Sequence, residues 1–242
     1  MKDKSDNRRK TLGISGTSRG LILWDVDGTL VEIGRGRTDK HLKAASKVAG
    51  IQIQGSSRAG GKTDWQIMNE LFDGQDCDPE TIRQALTELN KLTEIELMAN
   101  PISATKNAAA ILRATSDHGW VNGVLTGNTL NRTQVKLESA NLQNLINQGF
   151  IFNGENAVNR FEAVDFARKE LLKQKIMNVV IIGDTPLDIQ AAKSAIIPCV
   201  AVATGGFSIN ELAVFEPELL LEDLDTGSDS LLEFLKTQFA VM

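Results

Sequence analysis

Apolar residues occur along the chain in short unbroken runs, most of which end in a small or acidic residue. A run that is apolar at nearly every position predicts a strand buried on both faces, as in a parallel sheet. The runs are LILWD (21–25), VNGVLTG (121–127), FIFNG (150–154), NVVIIGD (178–184), CVAVATG (199–205) and a weaker ELLLED (218–223). Helical periodicity separates most of them, so the pattern predicts an α/β fold with a doubly wound parallel sheet and right-handed crossovers.

One interval, residues 31–120, is too long for a single crossover, which needs about a dozen residues in addition to its helix. We predict that it contains a smaller, inserted α-helical domain over residues 38–99. Its helical segments are HLKAASKVAG (41–50), KTDWQIMNELF (62–72) and PETIRQALTELNKLTEIELM (79–98). A further helix over 104–118 leads back to the core domain, which we assign to residues 21–37 and 100–242. The polar, basic residues 1–20 are expected to form a disordered tail.

Composition narrows the classes of function. The net charge of −5 argues against a nucleic-acid surface, because affinity for nucleic acid comes mainly from basic side chains. No run approaches the roughly 20 apolar residues that cross a membrane. Cys77 and Cys199 are too far apart in sequence to indicate a disulfide framework. We therefore expect a cytoplasmic protein with no nucleic-acid or membrane partner; the sequence leaves its oligomeric state open.

The first run ends in the motif WDVDGTLV, which contains Asp25, Asp27 and Gly28. Ligands of open α/β sheets bind at the carboxyl ends of the strands. Both carboxylates reach one site only if the chain turns just after Asp25, and Gly28 has the conformational freedom for that turn. Two such carboxylates suit metal binding or separate acid–base and nucleophilic roles.

A second motif, VLTGN, ends the second run. Thr126 offers a hydroxyl group, and Gly127 and Asn128 offer backbone N–H groups near an expected helix N-terminus. Such N–H groups form a natural anion site, although T-G-N is also an ordinary strand-to-helix turn.

The third motif is VVIIGDTPLDIQAA. Asp184 directly follows a buried strand, and Asp188 lies in the first turn of the next predicted helix. An acidic residue there also suits the helix dipole, so Asp188 alone has a structural explanation. Asp184 is different, because a carboxylate beside so apolar a strand needs a partner such as a metal ion.

Together these residues resemble the haloacid dehalogenase superfamily, whose motifs are D-x-D-x-T, a Ser or Thr after a strand, a basic residue, and G-D-x-x-x-D. The matching residues, in the same order, are Asp25, Asp27, Thr29, Thr126, Arg160, Asp184 and Asp188. The resemblance extends from Leu21 to about Asp225. The helical insertion, AGGKTDWQIM (59–68) and TGNTLNRTQVKLESANL (126–142) are similar to the phosphoglycolate phosphatase-like and phosphoglucomutase-like branch.

The resemblance implies a Mg²⁺-dependent phosphatase that acts on a small phosphorylated metabolite. The metal ligands would be the carboxylates of Asp25 and Asp184 and the backbone carbonyl of Asp27. Asp188 would support them. Asp25 would be the nucleophile that forms an aspartyl phosphate, and Asp27 the general acid and base.

The resemblance also implies a phosphate site formed by Thr126, Gly127, Asn128 and Arg160. The third family motif is usually a lysine, commonly followed by proline. Here Arg160 stands at the corresponding distance before Asp184, without a proline after it, and Lys169 lies too close to Asp184. A surface arginine at a helix start is the alternative interpretation of Arg160.

Three other functions stay open: a phosphomutase of the same branch, a haloacid dehalogenase, and a non-enzymatic phosphate-binding module. Arg58, Lys62 and Asp64 in the insertion are candidate specificity residues, although a helix N-terminus explains them nearly as well. His41 and His118 belong to no motif, and we expect them at the surface or at helix ends.

Overall fold

The computed structural model describes residues 18–33, 39–54, 60–72, 78–155 and 157–239. Its centre is a six-stranded parallel sheet with the strand order β3-β2-β1-β4-β5-β6. The strands are β1 (Gly20–Trp24), β2 (Trp120–Leu125), β3 (Ile151–Phe152), β4 (Val179–Gly183), β5 (Cys199–Val202) and β6 (Leu219–Leu221). The predicted parallel α/β sheet is therefore confirmed. Most of the tail predicted over 1–20 lies outside the described residues.

Helices follow or separate the strands as the periodicity predicts. They are α1 (Lys40–Ala49), α2 (Asp64–Leu71), α3 (Pro79–Ala99), α4 (Ala108–Asp117), α5 (Leu130–Ser139), α6 (Arg160–Lys173), α7 (Pro186–Ser194), α8 (Ile209–Ala213) and α9 (Ser228–Gln238). Within the described residues, no helix is both long enough and apolar enough to span a bilayer.

Both faces of the sheet are covered by apolar side chains. In β1, Ile22 and Trp24 pack into one cluster, with residues of α4, α5 and α9. Leu21 and Leu23 point the other way and pack with residues of α6 and α7. Because successive side chains of a strand alternate between faces, burial on both sides explains why the strands are apolar at nearly every position.

The inserted helices α1, α2 and α3 share a separate apolar cluster, which includes Ala45, Met68, Leu86 and Leu89. Each helix begins at a side-chain cap: Asp39, Thr63 and Asp78 accept hydrogen bonds from backbone N–H groups of the first turn. The insertion is therefore helical, as predicted. Its boundaries as a separate domain, 38–99, stay a prediction.

The helix predicted over 104–118 begins four residues later, at Ala108. The preceding residues are tied to the turn after β1: Thr105 donates its backbone N–H to Leu30 O and its hydroxyl to Thr29 O. Asn107 then adopts a positive φ of 66°. These long-range hydrogen bonds outweigh the local preference for helix.

The end of α7 contains a strained residue. Ile197 N–H donates to Ala192 O and Ile196 N–H to Lys193 O, which is a Schellman arrangement. Ile196 adopts the left-handed conformation that this arrangement requires, with a φ of 56°. The residue is 84% exposed. A β-branched residue is strained in this conformation, and the exposed side chain gains little from packing.

We expect Ile196→Gly to raise the free energy of unfolding by about 1 kcal/mol, because glycine lacks the Cβ that makes the left-handed conformation costly. Urea denaturation measures the change. Val214 is the matched control, since it is β-branched and 76% exposed with an ordinary φ of −58°. Val214→Gly should be neutral or destabilising, and a similar gain in both variants would contradict the strain at Ile196.

Candidate active site

The polar residues of the first and third motifs meet at the carboxyl edge of the sheet. Asp25 follows β1 and Asp184 follows β4, and these two strands are neighbours. Asp25 N–H donates to Ile182 O over 2.8 Å, which continues the pairing of the strands. Gly28, with a φ of 86°, then turns the chain. The turn places Asp25 and Asp27 on the wall of one cavity, as the sequence predicts.

Three buried carboxyl groups, those of Asp25, Asp184 and Asp188, form a tight cluster in which the candidate ligand atoms all lie within 4.8 Å of one another. Burial is the main cause that raises the pKa of Asp25 to about 7, against the pull of Arg160. Burial, together with the charges of Asp25 and Asp188, also raises the pKa of Asp184 well above its ordinary value. The cluster thus holds excess negative charge when its members are ionised.

The surroundings of Asp184 fit a hard cation. Its Oδ1 accepts a hydrogen bond from the Thr29 hydroxyl over 3.1 Å, whereas its buried Oδ2 has no hydrogen-bond partner among the described residues. Gly28 and Gly205 flank that oxygen, and a Cβ at either position would collide with it. An unpartnered carboxylate oxygen in a space kept free by glycines, beside Asp25, matches the oxygen ligands that Mg²⁺ prefers.

Arg160 lies inside this cluster, so the alternative of a surface arginine is wrong. It is the first residue of α6 and is only 1% exposed. Its Nη2 lies 3.0 Å from Asp25 Oδ1 and 2.5 Å from Asp188 Oδ1, and donates to Leu125 O over 2.9 Å. Burial opposes the charge on the guanidinium, but the two carboxylates outweigh burial and raise its pKa above the usual value.

Lys169 is the other basic residue considered for the third motif, and its ion pair lies outside the cluster. It is exposed and pairs with Asp165 one turn earlier on α6.

Asp188 has protein partners on both of its oxygens. Its Oδ2 accepts hydrogen bonds from the hydroxyl and the backbone N–H of Thr185, forming a capping box at the start of α7. Its Oδ1 faces Arg160. Asp188 therefore does have a structural role at the start of α7, as the sequence allowed. Asp188 also orients Arg160, which in turn contacts Asp25.

Asp27 is held by two side chains from the second motif and the helix after it. Lys136 Nζ lies 2.7 Å from Asp27 Oδ1 and 2.5 Å from Oδ2, and Asn128 Nδ2 donates to Oδ2 over 2.7 Å. Burial alone would raise the pKa of Asp27, but Lys136, Arg132 and Asn128 outweigh burial and lower it. Burial also lowers the pKa of Lys136 to about 8, against the pull of Asp27.

Sequence analysis did not single out Lys136 as a site residue. The only signal was its place within TGNTLNRTQVKLESANL (126–142), on a helical face that also contains Arg132. Two basic residues on one helical face give the same sequence pattern whether that face is solvated or buried. Only the burial of the face in the fold distinguishes the two cases.

The residues of the second motif lie beside the same cavity, in different roles. Thr126 Oγ1 accepts hydrogen bonds from both the backbone N–H and Nδ2 of Asn128. The predicted free N–H of Asn128 is therefore engaged within the turn. Gly127 O accepts from Asp64 N–H over 2.7 Å, and a Cβ at Gly127 would collide with Lys62 O. Glycine is required there because the start of α2 approaches so closely.

Asp64 forms the centre of a second buried charge cluster. Its Oδ1 contacts Arg132 Nη1 and lies 2.8 Å from His41 Nε2, and its Oδ2 accepts from Thr129 N–H over 2.8 Å. Arg132 Nε donates further to Thr93 Oγ1. The cluster joins α1, α2 and α3 of the insertion to α5 of the core.

His41 lies at a helix end, as one of the two expected positions, because it is the second residue of α1. Its side chain is not at the surface, since it is only 12% exposed and is bound to Asp64. Burial is the main cause that lowers the pKa of His41, against the pull of Asp64. His118 does lie at a helix end, where it follows α4 and is exposed.

The candidate specificity residues of the insertion differ in their surroundings. Lys62 lines the cavity, and its Nζ forms an ion pair with Glu70 over 2.6 Å. Asp64 also lines the cavity, but both of its oxygens have protein partners. Arg58 lies outside the described residues. The cavity is lined by Asp25, Asp27, Arg160 and Asp184 among other residues, and its volume of about 250 Å³ suits a small ligand.

We expect Arg132→Met to lower the free energy of unfolding by about 3–5 kcal/mol, because it leaves the buried Asp64 carboxylate without its cation. Chemical denaturation at neutral pH measures the loss. Arg83→Met is the control: Arg83 is an exposed arginine on α3. That variant should change stability by less than about 0.5 kcal/mol.

The pH dependence gives a second readout of the same cluster. Burial would raise the pKa of Asp64, but Arg132 and His41 outweigh burial and hold it below the ordinary range. A carboxyl group with a lowered folded-state pKa stabilises above its unfolded pKa, about 4, and loses that contribution as the pH falls. The stability difference between the parent protein and Arg132→Met should therefore shrink below about pH 4. A difference that is constant with pH would contradict the ion pair.

Comparisons with known proteins agree with this geometry. The sequence profile described as haloacid dehalogenase-like hydrolase matches residues 22–202, which is more than half of the chain. No curated protein matches the sequence.

Solved structures share the fold at low sequence identity. A predicted phosphatase from Clostridium acetobutylicum superposes with a TM-score of 0.68 at 21% identity, covering 88% of this chain and 98% of that one. A predicted phosphoglycolate phosphatase from Haemophilus somnus gives 0.65 at 19% identity, covering 90% and 99%. A candidate β-phosphoglucomutase from Bacteroides vulgatus gives 0.64 at 19% identity, covering 94% and 93%.

At these identities the likeness to the solved structures shows the shared fold. The profile match, the motif order and the fold agree, and the chain belongs to the haloacid dehalogenase-like hydrolase family.

Proposed function

We propose that this protein is a Mg²⁺-dependent phosphatase that hydrolyses a small phosphorylated metabolite through an aspartyl phosphate on Asp25. The observation that carries the proposal is the buried cluster of Asp25, Asp184 and Asp188, crossed by Arg160 and open to a cavity. A carboxylate next to both a guanidinium and an unpartnered carboxylate oxygen suits a reaction in which a phosphoryl group and a metal ion arrive together.

In the first half of the reaction, an Asp25 carboxylate oxygen attacks phosphorus in line with the leaving oxygen. The P–O bond to the leaving group breaks, and protonated Asp27 gives its proton to that oxygen, releasing an alcohol. Arg160 and the Thr126 hydroxyl stabilise the equatorial phosphoryl oxygens. Arg160 suits this role, because its planar fork bridges a carboxylate and a phosphate.

In the second half, Asp27 is the base. It takes a proton from a water molecule, which attacks the phosphorus of the aspartyl phosphate, and the bond between phosphorus and Asp25 breaks to release phosphate. Asp27 is thereby protonated for the next cycle.

Asp25, Asp184 and the Asp27 carbonyl would hold the Mg²⁺ ion, which, when bound, offsets the like charges of Asp25 and the phosphoryl group. Asp188 acts mainly through Arg160 and the start of α7, since both of its oxygens have protein partners. The presence of Asp27 argues against a dehalogenase, because a halide leaves without a proton.

We further propose that residues 38–99 act as a cap over the site and determine which substrate is accepted. The insertion contributes Lys62 and Ile67 to the wall of the cavity that the motif residues also line. The motif residues act on the phosphoryl group, which all phosphoesters share. Residues of the insertion would therefore discriminate among phosphoesters.

Phosphate release from a panel of small phosphorylated metabolites, with Mg²⁺ and with EDTA, tests the proposal. We expect turnover with Mg²⁺, none with EDTA, and none for Asp25→Asn, because an amide is a poor nucleophile. Mg²⁺ should also raise the melting temperature of the parent protein but not that of Asp184→Ala.

The other functions give different results in the same experiment. Full activity in EDTA would indicate a metal-independent enzyme. Accumulation of a bisphosphate with a sugar phosphate would indicate the phosphomutase. A protein that binds phosphate but turns over no ester would indicate a binding module.

We expect Arg160→Ala to lower kcat by about 10²–10³-fold, since it removes a cation from the transferring phosphoryl group. Steady-state kinetics on the best substrate of the panel measures the loss. Lys169→Ala is the control, because Lys169 is an exposed cation on the same helix. A crippled Lys169→Ala with an active Arg160→Ala would contradict the assignment of Arg160.

A further inference from the structure

Helix α5 supplies the site with a buried lysine that belongs to none of the family's motifs. Only 7% of the Lys136 side chain is exposed, although a lysine in a short amphipathic helix is normally solvated. Lys136 is one of the residues that line the cavity. Removing that charge from water is costly, so the fold places Lys136 there against a specific partner.

That partner is the carboxylate of Asp27. Lys136 Nζ contacts both Asp27 oxygens, at 2.7 and 2.5 Å, and its third contact is Asn128 Oδ1 at 2.7 Å. Asn128 completes the arrangement by donating from Nδ2 to Asp27 Oδ2 over 2.7 Å. The three side chains form a closed ring of contacts, in which the plane of the Asp27 carboxylate is fixed from two directions.

We propose that Lys136 is a positioning residue for Asp27, holding its carboxyl group in the orientation from which it exchanges a proton with the leaving oxygen. The inference rests on the phosphatase function proposed above. Without Lys136, the carboxylate would keep only its contact with Asn128 and could rotate away from the phosphoester.

Two features favour positioning over direct binding of the phosphoryl group. An ammonium group has three protons, and three acceptor atoms of Asp27 and Asn128 already surround Lys136 Nζ. Arg160, by contrast, contacts the nucleophile Asp25 itself. The two buried cations thus divide the site: Arg160 lies with Asp25, and Lys136 lies with Asp27.

The test compares two phosphoesters that differ in their need for a proton. An alkyl phosphate releases a basic alkoxide oxygen, which requires a general acid, whereas p-nitrophenyl phosphate releases a stable phenolate without one. The value of kcat/KM reports only the steps up to departure of the leaving group, so the later hydrolysis of the aspartyl phosphate does not affect it.

For Lys136→Met we expect kcat/KM to fall about 10²-fold on the alkyl phosphate and less than about threefold on p-nitrophenyl phosphate. Lys136→Arg keeps a cation near Asp27 and should recover much of the loss. Lys169→Met, at an exposed lysine paired with Asp165, is the control and should leave both substrates unaffected. Should Lys136→Met fail to fold by circular dichroism, Lys136→Gln, which retains a polar donor, takes its place with the same expectation.

Equal losses on the two esters, with a raised KM, would overturn the inference and make Lys136 a phosphoryl ligand. Unchanged kinetics on both esters would overturn it as well. Either result leaves the phosphatase function standing, because the parent protein still hydrolyses the esters. A parent protein that hydrolyses neither ester would instead overturn the proposed function itself.

Discussion

The rest of the site depends on one constraint, which is that four carboxyl groups converge at the carboxyl edge of the sheet. A buried charge costs several kcal/mol unless it is paired. The fold meets this cost with buried cations from distant parts of the chain. Arg160 bridges Asp25 and Asp188, and Lys136 holds Asp27. The buried second oxygen of Asp184 has no hydrogen-bond partner among the described residues, which leaves the site room for one more cation.

The same pairing of buried charges joins the insertion to the core. Arg132 and Lys136 lie one turn apart on α5, and both are buried. Arg132 contacts Asp64 at the start of α2, while Lys136 contacts Asp27 in the first motif. One helix therefore fixes both the position of the inserted helix and the orientation of the acid–base candidate. The backbone hydrogen bond from Asp64 to Gly127 strengthens this connection.

Much of the fold was predictable because its strands are buried on both faces and carry an unbroken apolar pattern. The acidic residues at their ends follow from the same logic, since polar groups beside a buried strand need a functional or structural partner. The motif order added Thr126 and Arg160 to the set. The structure brings Arg160 into contact with Asp25, although 135 residues separate them in sequence.

By itself, the sequence determined the sheet, the helical insertion and the acidic half of the site, because hydrophobic periodicity and motif spacing are local properties of a chain. It did not reveal the buried contacts of Lys136, Arg132 and His41, all of which occupy helices. A charged residue on a helix has the same pattern whether it faces water or a buried carboxylate. For Lys136, only the packing of α5 against the first motif decides which of the two the side chain faces. Its partner, Asp27, lies 109 residues earlier in the chain.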